Sequence, residues 1–384
     1  MGSDPGGAAR PSLYVHVPFC VSRCAYCDFH RSAPVDPAGV ARWLEAVERH
    51  LAALAEDGGF GTVYVGGGTP SALDHGDMRR LLDAVAAAGR GVPPAEWTVE
   101  ANPEDLDGSL LDLLAEAGVD RLSVGVQSFE DGARQAAGRR GSAASVLRRL
   151  ESSAARWTGR LSLDLMYGLP GQTAGGLESD IRTAATLGAG HLSLYELTLE
   201  EGTPFHEAVA GGRLVLPDED ARADQYDAAL GALADAGYRR YEVSNWAKAG
   251  QECLHNLNYW RLGDWRAAGP SGVANALVPG GYRRVANPSD DARYAADPVG
   301  GAETTLVAGR DAMFETLMMG LRVAEGLDTA DFTRRFGSSP SAVFGDVPAR
   351  SGGRVLDMGG RWLPTEAGMD TLNGILVGCL EERR

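Results

Sequence analysis

The chain is poor in cysteine, has no apolar run long enough to span a bilayer, and carries too little positive charge to coat a nucleic acid. Its five cysteines among 384 residues, three of them between positions 20 and 27, cannot build a disulfide framework, so metal or redox chemistry is the better reading. No stretch approaches the ~20 apolar residues of a membrane helix, so no transmembrane segment is expected. The opening "MGSDPGGAARPS" is rich in Gly, Pro and Ser rather than basic and then apolar, which does not describe a signal peptide. A cytoplasmic location and a flexible stretch over residues 1–12 are the resulting expectations. Lys plus Arg number 36 against 52 Asp plus Glu, a formal charge of −16, so nucleic acid is not expected as a partner and any anionic ligand must be met locally. Hydrophobic residues, by contrast, make up 44% of the chain, ample for one large domain and a smaller one.

Short β-branched and aromatic runs recur, each followed by a segment of helical periodicity: "SLYVHV", "TVYVGG", "WTVEAN", "RLSVGVQS", "LSLDLMYG", "HLSLYELT" and "RRYEVSN". That alternation predicts parallel βα units in a partial (β/α) barrel, with functional groups on the loops after the strands. Between the first two runs, Val40, Trp43, Leu44, Val47, Leu51 and Leu54 form one apolar stripe, the face a helix lays on a sheet. After about residue 300 the rhythm changes. "DAMFETLMMGLRVAEGL" reads as a helix with Phe314, Leu317, Met318 and Leu321 on one side, and "DTADFTRRFG" as a second ending at Gly337. Gly359-Gly360 signals a hairpin, and Thr365 is placed to cap a last helix. These parts predict a small winged-helix-like α+β domain over residues 300–384, after a barrel over 13–290. The Gly-, Pro- and Asp-rich "VPGGYRRVANPSDDARYAADPVGGAE" is expected to hold the connection.

Cys20, Cys24 and Cys27 follow the first strand at C-x3-C-x2-C, where a barrel presents its ligands. Thiolates bind zinc or iron–sulfur clusters. Spacing alone admits a zinc site completed by His16 or His30, but zinc sites favour paired C-x2-C knuckles, and Cys253 and Cys379 are isolated. Three cysteines suit a [4Fe–4S] cubane with one iron left open. "VYVGGGTPS" is a strand running into three glycines, without the third glycine of a Rossmann turn or a Walker lysine; absent β-carbons let the backbone approach a ligand. Glu100, Gln127 and Asp164 interrupt three otherwise apolar strands near their ends, and Arg139 follows the fourth. Buried polar groups cost free energy unless paired, so a shared cavity is expected.

C-x3-C-x2-C with Tyr26 in its last interval resembles the radical S-adenosylmethionine (radical SAM) superfamily. The resemblance implies that the amino and carboxylate groups of SAM chelate the open iron, and that the reduced cluster cleaves the sulfonium to methionine and a 5′-deoxyadenosyl radical. It also implies SAM contacts through the backbone of Gly67, Gly68 and Thr69. Within the superfamily, Tyr14, Glu100, Gln127, Arg139 and Asp164 match SAM-contacting positions of the oxygen-independent coproporphyrinogen oxidase family, where Arg139 and Asp164 align with a second SAM site. One or two SAM molecules are therefore open readings.

The tetrapyrrole oxidases carry another cysteine two residues after the triplet, where this chain has Phe29. "CDF", "EANP", "GVQSF", "LPGQT" and "HNLNYW" at 255–260 instead resemble the HemW-type heme chaperones. That resemblance implies heme as a ligand, an apo-hemoprotein as recipient, and His255 as a candidate axial ligand. Trp246, Tyr259 and Trp260 would supply a wall, and Lys248, Arg261 or Arg266 would meet the propionates. The bland alternative is that the aromatics are core and His255 caps a turn. One departure is "AAGPSGVANAL", where relatives read G-P-x-A-H-S; it leaves open a radical SAM methyltransferase, while the missing fourth cysteine disfavours a coproporphyrinogen oxidase. Monomer and homodimer are both compatible with the sequence.

Overall fold

The computed structural model describes residues 10–31 and 36–381. Six parallel strands pair in sequence order, β1 (Ser12–Val17), β2 (Thr62–Gly67), β3 (Glu96–Ala101), β4 (Arg121–Gln127), β5 (Arg160–Tyr167) and β6 (His191–Glu196). Every strand alternates. Leu13, Val15, Val63, Val65, Val99, Leu122, Val124, Leu163, Leu165 and Leu192 belong to the apolar core. The residues between them (Tyr14, His16, Tyr64, Thr98, Glu100, Ser123, Asp164, Ser193) take the opposite, concave face, because successive side chains on a strand point to opposite sides. The result is a partial barrel, apolar outside and polar within.

Helices α1 (Pro37–Ala53), α2 (His75–Ala88), α3 (Gly108–Ala117), α4 (Asp131–Ala136), α5 (Ala143–Arg156) and α6 (Ala174–Thr186) fill the crossovers. Asp36 accepts from the amides of Ala38 and Gly39 to start α1, and Val40, Trp43, Leu44, Val47 and Leu51 bury the expected stripe.

The seventh run is not another βα unit. It splits into β7 (Arg239–Glu242) and β8 (Asn245–Ala247), both antiparallel pairings, with β8 beside β6. Two residues between them make a hairpin and leave no room for a parallel crossover. On the other flank, β9 (Trp265–Ala268) runs parallel to β1, and β10 (Val273–Val278), β11 (Gly281–Ala286) and β12 (Glu303–Ala308) continue the sheet to twelve strands.

The Gly- and Pro-rich segment expected as a connection is therefore part of this sheet. Pro279 and Gly280 (φ 74°) form the tight β10–β11 turn, and the main sheet ends at Ala308 rather than near 290. Ser12, expected within a flexible stretch, is buried in β1; the rest of that expectation falls largely on residues 1–9, which lie outside the described residues.

Beyond Ala308, a helix over Gly309–Gly320 and one over Thr329–Phe336 pack on a small sheet of β13 (Leu327–Asp328), β14 (Val355–Asp357) and β15 (Arg361–Pro364). The first helix stops at Gly320, short of the expected span, and Val323 instead bridges to Glu242. Leu317, Leu321, Phe332, Phe344 and Trp362 form a separate core, and Thr365 caps the Glu366–Asp370 helix as expected. Among the described residues no helix is long and apolar enough to cross a membrane.

Candidate functional site

The three clustered cysteines lie in the loop that leaves the C-terminal end of β1. Cys20 is buried, Cys24 and Cys27 are half-buried, and all three are free thiols. Burial pushes the thiols of Cys20 and Cys27 up, and the neighbouring sulfurs push both further. The loop is pinned by Ala25 N–H to the Ala137 carbonyl at 3.0 Å and by Arg31 to the Cys27 carbonyl at 2.9 Å. Arg139 Nη1 donates to Cys24 Sγ at 3.3 Å, and Thr69 Oγ1 lies 3.5 Å from Cys20 Sγ.

Neither histidine offered for a zinc site completes one. His16 is bonded on both ring nitrogens, to the Tyr14 hydroxyl and the His30 carbonyl, while His30 Nε2 pairs with Asp291. Among the described residues no three His, Cys, Asp or Glu side chains enclose a single ion. Three soft thiol donors without a fourth protein ligand fit an iron–sulfur cluster with an open corner.

The glycines stand where no side chain fits. A β-carbon on Gly68 would lie 2.7 Å from the Phe19 carbonyl oxygen, one on Gly67 (φ 113°) 2.6 Å from the His16 ring, and one on Gly66 2.8 Å from the Glu100 carboxylate. The neighbouring strands β1 and β3 and the segment leading to Cys20 already fill that space, so the glycines let the end of β2 press against them.

Around them the strand ends bring together most of the predicted polar residues. Glu100 accepts from Tyr64 Oη at 2.6 Å and from Gly67 N–H at 3.0 Å. Burial raises its pKa to about 7 despite these donors. Asp164, on β5, is raised to about 6 by burial, opposed by the Ser193 and Ser123 hydroxyls. Gln127 sits at a bulge with φ 70°, beside Gly125. Arg139 Nη2 donates to Asn102 Oδ1 at 2.8 Å and to the Gly125 carbonyl, leaving its buried Nε without a partner. Tyr26 packs among Ala133, Ala137, Met166 and Phe205 under the cysteine loop, and Tyr14 lies beside Tyr64 with ring centroids 6.2 Å apart.

Sequence reasoning missed Asn102 and Arg134. Arg134 is 1% exposed and ties the Val126, Ser128 and Arg140 carbonyls to Glu104, which fixes the loop carrying Gln127 and Arg139. Its signal was the trio Arg134, Arg139, Arg140 in an acidic chain.

His255 is at the opposite end of the barrel. The helix α7 (Pro204–Ala210) and α8 (Glu219–Asp235) precede α9 (Leu254–Trp260), which plugs the N-terminal ends of the strands. Glu96, the first residue of β3, accepts from the amides of Leu254 and His255 at 3.1 and 3.0 Å and pairs with Arg121 and Arg160. His255 Nδ1 is 2.8 Å from Thr62 Oγ1, its ring packs against Tyr64 and Tyr259, and it is 0% exposed. Its Nε2 has no hydrogen-bond partner, but the enclosure leaves a porphyrin no approach, which corrects the axial-ligand expectation. The proposed propionate partners are likewise occupied: Arg261 is bidentate to Glu325, Arg266 pairs with Glu56, and Lys248 lies over the Tyr238 ring. Trp246 is buried under Arg240, and Trp260 faces Arg322.

With this geometry in place, relatives can be compared. The sequence profile of the Radical SAM superfamily matches residues 14–184, and that of the HemN C-terminal domain matches residues 307–370. Coproporphyrinogen III oxidase (HemN) from Escherichia coli shares the fold, with a TM-score of 0.80 over 97% of this chain and 91% of its own at 21% identity. A partial barrel with three free cysteines at its mouth and this C-terminal domain is a radical SAM protein. Heme chaperone HemW of Bacillus subtilis is 36% identical over 88% of this chain and 89% of its own length. HemW of Escherichia coli is 34% identical over 97% and 98%. The chain belongs to the HemW family.

Proposed function

We propose that this protein is a heme chaperone: it holds a [4Fe–4S] cluster on Cys20, Cys24 and Cys27, binds SAM beside it, and passes heme to an apo-hemoprotein. The observation that carries the reading is the barrel mouth, where three free thiols meet two buried carboxyl groups and an arginine with a spare donor. When bound, the cluster and SAM supply one-electron and radical chemistry. The residues of the chain bind and orient. Arg139 Nε is a free donor for a carboxylate, and Glu100 and Asp164, whose pKa values burial raises toward neutral pH, ionise more readily when a cation sits by them. Tyr14, Tyr26, Gln127 and the Gly67–Thr69 backbone complete the SAM pocket in this reading.

The position of Phe29, where the oxidases have a cysteine, supports delivery over coproporphyrinogen oxidation. A methyltransferase is the second reading, left open by one feature: the segment "SGVAN" at 271–275, which lacks the usual Ala-His pair.

Heme titration of anaerobically reconstituted protein separates them. A saturable Soret shift without SAM turnover supports the chaperone. No shift, together with conversion of SAM to 5′-deoxyadenosine and S-adenosylhomocysteine, overturns it in favour of the enzyme.

A further inference from the structure

The hydrogen bonds at the barrel mouth have a direction, and it is set by Asn102. Arg139 can only donate, so the Asn102 atom facing its Nη2 at 2.8 Å is the carbonyl oxygen. The Asn102 amide nitrogen then faces Thr69 Oγ1 at 3.3 Å and donates to it. Thr69 has a single hydroxyl hydrogen. With its oxygen accepting from Asn102, that hydrogen is free for the one remaining polar neighbour in reach, Cys20 Sγ at 3.5 Å. The other guanidinium nitrogen of Arg139 donates directly to Cys24 Sγ at 3.3 Å. Asn102 is held in this orientation by its own backbone N–H, which donates to Ser71 Oγ at 3.0 Å, and Ser71 donates in turn to Asp105 at 2.9 Å.

We infer that Asn102 is a positioning residue that aligns Arg139 and Thr69 as hydrogen-bond donors to two of the three cluster cysteines and so sets the reduction potential of the cluster. This rests on the cluster assignment proposed above. Hydrogen bonds to cluster sulfurs are among the main determinants of potential, because a donor stabilises the more negatively charged, reduced state. The relay therefore raises the potential and eases reduction. It reaches Cys24 in one bond and Cys20 in three, with Arg139 at its head.

The test is a mediator-poised titration with dithionite, followed by EPR of the reduced cluster, on the full chain reconstituted anaerobically. Asn102→Leu breaks the alignment of both donors and is expected to shift the midpoint to more negative potential. Thr69→Val removes one donor and shifts it less, while Thr69→Ser keeps the hydroxyl and restores the wild-type value. In the Thr69→Val background, Asn102→Leu produces a smaller further shift than it does alone, since one of its two routes is already cut. Midpoints unchanged in both variants at full iron content overturn the relay. Loss of the cluster from both variants while Thr69→Ser retains it also overturns it, by making these residues supports for assembly instead of tuning groups. If wild-type protein takes up no iron and sulfide, the cluster assignment itself has failed, which is a separate result.

Discussion

The two ends of the barrel treat buried charge in opposite ways. At the floor, Glu96 is 0% exposed and meets two guanidinium groups, Arg121 and Arg160, plus the first amides of α9. Each of its lone pairs has a donor. At the mouth, Glu100 and Asp164 have hydroxyl and amide donors, but among the described residues neither forms an ion pair, and burial lifts both pKa values by two units or more. A charge neutralised from within is architecture. Carboxyl groups left short of a cation, next to free thiols and an unpartnered arginine nitrogen, await one from outside.

That contrast breaks first at the floor. Glu96→Gln leaves the buried Arg121 guanidinium without its counter-ion, while Arg160 keeps Asp120, and is expected to cost ~3–5 kcal/mol, the scale for breaking a buried pair. Urea unfolding at neutral pH measures it; a loss below ~1 kcal/mol would show the floor to be solvated after all. His255→Ala is next, with a loss of ~1–3 kcal/mol from the cavity and the lost hydrogen bond to Thr62, whose hydroxyl keeps Ser12 as a partner. Heme titration of the folded variant is expected to keep the wild-type shift, and its disappearance would put His255 back in contact with heme.

At the mouth the expected effect is smaller and has a pH signature. Glu100 and Asp164 have folded pKa values of about 7 and 6, above their ordinary 4.5 and 3.8. Their contribution to stability is thus greatest below about pH 4, declines as pH rises, and is lost by about pH 7. The double variant Glu100→Gln, Asp164→Asn should flatten the fall in urea midpoint across that window. Part of the fall will remain, because Asp180 and Glu242 are also raised, to about 6 and 7. An unchanged slope would mean that both carboxylates are already compensated. Ser162→Ala, which removes the hydroxyl 2.7 Å from His191 Nδ1 midway between the ends, should cost ~1 kcal/mol in the same assay.

The mouth was legible in the sequence because its chemistry is local. Cys20, Cys24 and Cys27 share one loop, Gly66–Thr69 another, and Glu100, Gln127 and Asp164 each stand out against an apolar strand. The barrel strands were legible for the same reason, since period-two alternation is written into each of them. The floor was not. Glu96 and Arg121 sit at the starts of separate strands; Glu96 accepts from the first amides of α9 and Arg121 donates to the Gln251 and Glu252 carbonyls just before it, contacts that join residues more than 100 positions apart. "HNLNYW" therefore displayed a histidine and aromatics without showing that they face inward. Likewise, Gly and Pro between residues 278 and 301 mark turns whether the chain leaves a domain or folds back into its sheet, and only the pairing of β10, β11 and β12 decides.

The central claim is that the mouth is built for a cluster. Iron and acid-labile sulfide determined on anaerobically reconstituted protein test it most directly. The account predicts about four of each per chain, lost on Cys20→Ala. Stoichiometric zinc with no sulfide, or full cluster content in the Cys20 variant, would contradict it.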